Sequence, residues 1–533
     1  MSGLLQDYVT AQAERRADAV ALVMGERRLT YGELERLSNQ LAHLLVEAGC
    51  RPGDRVCLCT EKSPQAIVGM LAALKARCTY VPIDVASPTA RIARIVRSAD
   101  PAVVLTMGAA MSLVGELLAS EVLAPGLPVG ALERFPGEGP GFPVAFDAAD
   151  WDSQPGERAP RTGDPQEIAH LLFTSGSTGD PKGVAIIHAN VRAFVEWAVE
   201  YFGTEPGDRI SGHPPLHFDL STFDIYATFS AGATLFPVPP STLLPGQLGE
   251  FISSNQLTQW FSVPSTMTYM AKFGAVPERG FPSLKRVLWC GEVLPTAILI
   301  DWMKRIAQAS FTNLYGPTEA TIASSFYTVE EIPRDETAPI PIGTACAGEE
   351  LLVLDGECNP VPPGEIGELY IAGAGISPGY WRDERRTSEA FRPDPRPGRG
   401  EQRIYRTGDL ARFDRDGLAY FLGRTDSQIK SRGYRIELGE IEAALNARPE
   451  IVECAVVGVE SAGFEGTSIC CAFRPASEAD SNPAALRSAL AALLPTYMLP
   501  SHWRSLEALP KNVNGKIDRR RLREMFSAEQ SQA

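Results

Sequence analysis

The chain has 533 residues, of which 44% are hydrophobic and 22% are charged; this composition is typical of globular enzymes, and the length predicts two to four domains or subdomains. Its formal net charge of −15 argues against generic binding to nucleic acids or acidic membranes. No apolar run reaches the ~18 residues of a membrane span, and the N-terminus has no signal-peptide pattern. We therefore expect a cytoplasmic protein without nucleic-acid or membrane partners.

Helix-like and strand-like patterns alternate along the first part of the chain, as is typical of α/β folds. Residues 34–48 and 67–74 have apolar residues at helical spacing, while 56–59 and 80–83 are short apolar runs that predict strands. Residues 126–166 are rich in Pro, Gly and Asp, which predicts a surface connection between two subdomains. The ten cysteines are scattered and form no paired CxxC, so they predict buried free thiols rather than zinc ligands or disulfides.

Residues 171–184 read LLFTSGSTGDPKGV, two apolar runs joined by a loop with little side-chain bulk. Glycines let backbone N–H groups face one small volume, and hydroxyls and one lysine add further donors. This composition predicts a cradle for polyphosphate built from Thr174, Ser175, Gly176, Ser177, Thr178, Gly179 and Lys182. It is not a Walker loop, since Asp180 and Pro181 separate the last glycine from Lys182. A plain hairpin loop is the alternative interpretation.

Further along, short strand-like runs alternate with Gly/Pro/Asp turns, and a small α/β pattern follows. The predicted strands are 351–354, 367–371 and 420–422, followed by a helix at 441–445, a strand at 454–457 and a helix at 486–494. The boundary between these two parts is expected near residues 423–426.

Two motifs place carboxylates beside turns. NLYGPTE, residues 313–319, combines an aromatic ring that can stack on a nucleobase with Glu319, which can hold the Mg²⁺ that accompanies ATP. YRTGDL, residues 405–410, places Asp409 where it can bind ribose hydroxyls. Each motif alone would be interpreted as an ordinary turn, and the basic stretches at 423–442 and 510–520 alone as solvated charged segments.

Taken together, the order and spacing of these motifs resemble the adenylate-forming superfamily, specifically the amino-acid adenylation domains of nonribosomal peptide synthetases. The resemblance covers nearly the whole chain. It also includes LTYGEL at 29–34, LKARCTYVPID at 74–84, FDLS at 218–221, GELYIAGAG at 367–375 and LPTYMLP at 494–500.

The resemblance implies an α/β protein with two domains. Residues 1–425 would form a large N-terminal domain of layered α/β subdomains plus a β-barrel-like subdomain. Residues 426–533 would form a small mobile C-terminal α+β domain that carries the catalytic lysine, with Asp426 as the hinge. Family members rotate the small domain between two half-reactions.

The implied activity is ATP-dependent formation of an aminoacyl-adenylate and pyrophosphate, followed by acyl transfer to a thiol. The loop from Thr174 to Lys182 would hold the β- and γ-phosphates, and Glu319 would bind Mg²⁺. Lys516 would contact the reacting carboxylate and α-phosphate, and Lys430 would face the thiol in the second step. The remaining nucleotide contacts would come from Gly291, Glu292, Asn313, Tyr315 at the adenine, Gly316, Thr318, Asp409 at the ribose, and Arg424.

Asp219 matches the position where amino-acid-activating members keep a carboxylate for the substrate ammonium. The rest of the substrate pocket is predicted to be Leu220, Phe223, Ser262, Leu288, Cys290, Leu314, Ile322 and Ala323. This set resembles the pockets of stand-alone prolyl-activating members, so proline is the first choice of substrate. Alanine, serine and threonine stay open, because Ser262 or Cys290 could meet a hydroxyl.

The acceptor is expected to be a separate carrier protein bearing phosphopantetheine, since 17 residues after Lys516 leave no room for a carrier domain. A domain cut from a larger synthetase is the alternative. An acyl-CoA ligase is a rival class, but it would have no use for the charge of Asp219. A non-enzymatic relative is another, although it would be expected to lose Lys516, Glu319 or Asp409.

Overall fold

A computed structural model describes residues 3–135, 140–158, 163–176, 180–242, 244–460, 467–477, 480, 482–512 and 517–530. The helices are α1 Asp7–Arg16, α2 Tyr31–Glu47, α3 Pro64–Lys75, α4 Thr89–Ala99, α5 Ala110–Ala119, α6 His188–Phe202, α7 Asp219–Ala231, α8 Pro245–Ser254, α9 Pro264–Lys272, α10 Thr296–Arg305, α11 Glu384–Ala390, α12 Leu438–Asn446, α13 Pro483–Ala491 and α14 Arg519–Gln530.

The strands of the first half are β1 Val20–Met24, β2 Arg27–Thr30, β3 Arg55–Cys59, β4 Thr79–Pro82, β5 Val103–Thr106, β6 Val129–Ala131, β7 Ile168–Thr174, β8 Lys182–Ile187, β9 Arg209–Gly212, β10 Thr234–Pro237, β11 Gln259–Ser262, β12 Arg286–Cys290 and β13 Ser310–Tyr315. Those of the second half are β14 Ser325–Val329, β15 Thr344–Ala345, β16 Glu349–Leu354, β17 Gly367–Gly373, β18 Gly379–Tyr380, β19 Phe391–Pro393, β20 Arg403–Phe413, β21 Ala419–Arg424, β22 Gln428–Ser431, β23 Tyr434–Glu437, β24 Ile451–Glu460, β25 Thr467–Pro475 and β26 His502–Ser505.

Two large mixed sheets form the body of the N-terminal domain. One has the strand order β18-β8-β7-β4-β3-β5-β6, and the other has β15-β14-β13-β12-β11-β9-β10-β1-β2. Helices α2 and α3 pack against each other and bury nearly all of their apolar residues in the main core cluster. Local signals start both helices: Thr30 and Glu33 form a capping box on α2, and Ser63 caps α3 ahead of Pro64. The helices and strands predicted at 34–83 are therefore confirmed.

The segment 126–166 differs from its prediction. It contains β6, which pairs with β5 in parallel, and it leads to β7 of the same seven-stranded sheet. The connection therefore joins two strands of one sheet rather than two subdomains. Strand β6 has only three residues and lies in a stretch rich in Pro and Gly, so the sequence pattern is too short to predict a strand there.

The meander predicted after residue 350 is an antiparallel sheet of order β16-β17-β20-β19, with β21 paired to the far end of β20. The C-terminal domain follows. It has the hairpin β22–β23 and the three-stranded sheet β24-β25-β26, which α12, α13 and α14 cover with their own apolar clusters. The predicted mixed α/β architecture, a large N-terminal domain and a smaller C-terminal one, is confirmed.

All ten cysteines are free; nine are buried and Cys358 is partly exposed. The prediction of free thiols is confirmed. Among the described residues, no helix combines the length and apolar character that crossing a membrane requires.

Candidate active site

A cavity lies where the two large sheets, the antiparallel sheet and the C-terminal domain meet. Twelve of the predicted site residues line it: Thr174, Ser175, Asp219, Leu220, Cys290, Gly291, Gly316, Thr318, Ile322, Asp409, Arg424 and Lys430. Residues that are 256 positions apart in sequence, Thr174 and Lys430, therefore share one cavity wall.

The predicted phosphate loop is the turn of the hairpin β7–β8. Thr174 pairs across the hairpin with Lys182, so the loop begins and ends at these two residues. Gly176 passes so close to the carbonyl oxygen of Asp180 that a β-carbon there would collide with it, which accounts for the glycine. Ser177, Thr178 and Gly179 lie outside the described residues.

Glu319 lies at the centre of a buried charge cluster. Its carboxylate accepts hydrogen bonds from the Tyr380 hydroxyl at 2.7 Å and from Lys182 Nζ at 3.1 Å, and Arg435 Nη1 lies 2.6 Å from its other oxygen. Burial alone would raise the pKa of Glu319, but the charges of Arg435 and Lys182 outweigh burial and hold that pKa well below its usual range. Glu319 is therefore ionised throughout the physiological range.

These groups fit a magnesium ion that is shared with phosphates. Among the described residues, no group of three His, Cys, Asp or Glu side chains forms an all-protein metal cage. Mg²⁺ commonly takes one or two carboxylates and completes its shell with substrate phosphates and water. Glu319, which accepts a hydrogen bond from Lys182 at the end of the candidate phosphate loop, has the carboxylate that such an ion would take as a ligand.

The predicted ribose contact is part of a second network. The Tyr315 hydroxyl and Arg424 Nη1 donate to the two carboxylate oxygens of Asp409, which sits opposite Arg424 on β20 and β21. Arg424 also donates to both carboxylate oxygens of Asp426, each at 2.8 Å. One arginine therefore connects the candidate ribose site to the candidate hinge. Tyr315 itself is buried behind Asp409 rather than in the cavity lining.

Asp219 is the first residue of α7 and faces the cavity. Loss of hydration raises the pKa of Asp219 to about 6, although hydrogen bonds from Thr318 and the Leu220 backbone partly oppose this shift. Leu220, Cys290 and Ile322 complete an apolar wall around it. This arrangement suits a ligand with one positive charge next to a small apolar group.

The other five predicted pocket residues are buried, but they do not line the cavity: Phe223, Ser262, Leu288, Leu314 and Ala323. Leu288 lies two residues before Cys290 on the same strand, and Phe223 lies one turn further along α7 than Leu220. Ser262 Oγ accepts the indole N–H of Trp260 at 3.1 Å. The other four belong to the core cluster that also contains the apolar lining residues Leu220, Cys290 and Ile322.

Glu292 and Asn313 do not line the cavity either. Glu292 accepts the backbone N–H groups of Ser265, at 3.0 Å, and Gly433, at 2.9 Å, and so joins the two domains. Asn313 donates to the carbonyl of Pro341 at 2.8 Å, which fixes the strand that carries Tyr315. Lys516 lies outside the described residues.

Sequence reasoning missed three residues that shape the site. Arg435 and Tyr380 both contact Glu319, and Arg91 lines the cavity while its guanidinium pairs with Glu440 of the C-terminal domain. Arg435 belongs to the glycine-rich basic motif, so its charge was visible there. Tyr380 and Arg91 carry no such signal.

Two protein-family models match this chain. The model described as "AMP-binding enzyme" matches residues 9–381, and "AMP-binding enzyme C-terminal domain" matches residues 440–516. The chain belongs to the AMP-binding enzymes. The adenylation-domain resemblance inferred from the motifs is therefore confirmed.

Other proteins resemble this AMP-binding enzyme over most of its length. It is 35% identical to an L-proline–[L-prolyl-carrier protein] ligase of Streptomyces coelicolor, covering 94% of this chain and 92% of that protein. It is 34% identical to tyrocidine synthase 1 of Brevibacillus parabrevis, covering 98% of this chain but 45% of that protein. The chain spans 6–10% of the length of the linear gramicidin synthases of the same organism, to which it is 36% identical.

Solved structures share the fold. An artificially fused adenylation–PCP di-domain NRPS from Klebsiella oxytoca has a TM-score of 0.79 at 25% identity, covering 94% of this chain and 93% of that one. The two domains of the chain therefore have the architecture of known adenylation domains.

Proposed function

We propose that this AMP-binding enzyme activates a small L-amino acid, proline in the first place, as an aminoacyl-adenylate and transfers it to the phosphopantetheine thiol of a separate carrier protein. The observation that carries the proposal is Asp219, a carboxylate in an otherwise apolar part of the cavity. A substrate ammonium would pair with it, and the apolar wall leaves room for a small side chain. The near full-length similarity to a prolyl-carrier protein ligase supports the same substrate class.

In the proposed reaction, each group has a defined task. The backbone and hydroxyls of the loop from Thr174 to Lys182 would hold the β- and γ-phosphates, and Asp409 would bind the ribose hydroxyls. Glu319 would hold Mg²⁺, which when bound neutralises charge on the phosphates. Asp219 would orient the amino acid so that its carboxylate faces the α-phosphate, where Lys516 would stabilise the developing charge.

The cavity wall favours apolar substrates over hydroxyl-bearing ones. Ser262, one of the two groups that could meet a substrate hydroxyl, is held by Trp260 and lies behind the wall. The other, Cys290, is a weak hydrogen-bonding partner. Proline and alanine therefore fit better than serine or threonine, although one methylene changes affinity by only about 1–3 kcal/mol.

The test is amino-acid-dependent exchange of labelled pyrophosphate into ATP, measured with each of the twenty common amino acids. We expect the strongest exchange with proline and weaker exchange with alanine. Carrier loading is then followed by mass spectrometry with the phosphopantetheinylated carrier and with coenzyme A as competing acceptors. Exchange with no amino acid would refute the proposal, and preferential acylation of coenzyme A would place the enzyme among acyl-CoA ligases.

Amino-acid binding should weaken in acid because Asp219 must be ionised to pair with the substrate ammonium. Burial raises the pKa of Asp219 to about 6, so the carboxylate is mostly charged at pH 7 and becomes neutral as the pH falls through 6. The substrate ammonium stays protonated throughout. We expect the dissociation constant of the amino acid to rise about tenfold per pH unit below 6, as measured by calorimetry between pH 5 and 8. Asp219→Asn should show no such pH dependence.

A further inference from the structure

Arg435, on β23 of the C-terminal domain, contacts two groups of the N-terminal domain at once. Its guanidinium lies 2.6 Å from Glu319, and its backbone carbonyl accepts the Ser175 hydroxyl at 2.7 Å. The Glu319 side chain is fully buried and that of Arg435 is only 17% exposed. A single residue of the C-terminal domain therefore engages both the candidate metal ligand and the candidate phosphate loop.

These two contacts use the same groups that Mg²⁺ and ATP phosphates would need. With Lys182 already 3.1 Å from Glu319, the guanidinium gives this one carboxylate a second cationic neighbour. A divalent cation added there without phosphates would meet two positive charges and one negative charge. Likewise, a Ser175 hydroxyl that donates to the Arg435 carbonyl is not donating to a phosphate.

We propose that Arg435 is an interdomain latch that takes the place of Mg²⁺ and phosphate, so that docking of the C-terminal domain in this orientation and binding of MgATP oppose each other. The inference rests on the proposed function, since that function assigns Glu319 to Mg²⁺ and Ser175 to phosphate. The docked orientation also brings Lys430, Gly433 and Tyr434 to the cavity.

The latch gives the two half-reactions an order. While Mg²⁺ and pyrophosphate occupy their site, Arg435 cannot pair with Glu319, and the docked orientation loses a buried ion pair. Once they leave, Arg435 can again pair with Glu319 beside Lys182, and the docked orientation regains this buried ion pair. Departure of the first products thus favours the orientation that presents Lys430 and Tyr434 for the second step.

A second interdomain ion pair provides the control. Arg91 on α4 pairs with Glu440 on α12, and both side chains are buried, at 4% and 1% exposure. This pair also holds the domains together but contacts neither Glu319 nor Ser175. Arg91→Gln should weaken docking of the C-terminal domain, but docking and MgATP binding should still oppose each other in this variant. Arg448→Gln, which removes an ion pair with Glu450 inside the C-terminal domain, controls for the loss of an arginine.

The experiment measures amide hydrogen exchange in the segments 172–176 and 428–437. In the docked orientation the amide of Gly433, in the second segment, donates to Glu292 and is therefore protected from exchange. The full chain is compared alone, with ATP and EDTA, and with Mg²⁺ and ATP. In the wild-type protein we expect MgATP, and not ATP with EDTA, to raise exchange in 428–437 about tenfold. Arg435→Gln loses the ion pair with Glu319 but keeps the backbone contact with Ser175. In this variant exchange should be higher without ligand, and MgATP should change it by only about threefold.

Arg91→Gln should also exchange faster without ligand, yet keep its response to MgATP, and Arg448→Gln should behave as wild type. Arg435→Lys, which keeps the charge, should retain part of the response. A response in Arg435→Gln equal to that of the wild type, or no response in the wild type, would overturn the latch. Failure of the proposed function would instead appear as absence of amino-acid-dependent pyrophosphate exchange in the wild type.

Discussion

Replacing Asp219 by Asn should raise the KM of the amino acid about a hundredfold while leaving the KM of ATP nearly unchanged. Removing one partner of a buried ion pair costs about 3–5 kcal/mol, and the lower end applies because Asp219 is only half-buried. Asn keeps the shape of the side chain and its hydrogen bond with Thr318, so the change isolates the charge. Initial rates of pyrophosphate exchange at varied amino acid and at varied ATP measure the two constants.

Two controls separate charge recognition from a general defect. Asp416→Asn removes a carboxylate in an exposed turn and should change neither KM. Tetrahydrofuran-2-carboxylic acid, the analogue of proline with oxygen in place of the ring nitrogen, lacks the positive charge, so Asp219→Asn should not impair its activation. Equal losses with proline and with this analogue would contradict the role assigned to Asp219.

Local features of this site were predictable because sequence composition determines them directly. The hairpin β7–β8 follows from two apolar runs around a glycine-rich turn, and Gly176 is needed where the loop closes on Asp180. Asp219 and Leu220 reach the cavity together because both begin α7. Such relations between residues close in sequence do not depend on how distant parts of the chain pack.

Depth within the core was not predictable in the same way. Leu288 and Cys290 point to the same face of β12, and only the packing of neighbouring elements decides that Cys290 reaches the cavity while Leu288 lies beneath it. The pairing of Arg435 with Glu319 joins residues 116 positions apart that belong to different domains. No local sequence pattern encodes a contact between two domains.

The second large expected effect concerns Lys430 and Lys516, which both belong to the C-terminal domain. In the described structure the C-terminal domain contributes Lys430 to the cavity wall, whereas the described residues that flank position 516 lie elsewhere. Lys511 pairs with Glu453, and Ile517 packs on the cluster of β24, β25 and α14. Lys516 itself lies outside the described residues, and the hypothesis that Lys516 serves the first half-reaction and Lys430 the second stays a prediction.

Lys516→Ala should therefore lower amino-acid-dependent pyrophosphate exchange about 10³-fold, as expected for loss of a group that stabilises transition-state charge. Transfer from preformed, purified aminoacyl-adenylate to the carrier thiol should stay within about threefold of wild type. Lys511→Ala, which removes a nearby lysine that pairs within its own domain, should leave both rates unchanged. Equal loss of both half-reactions in Lys516→Ala would contradict a division of labour between the two lysines, and with it the rotation about Asp426 that the division requires.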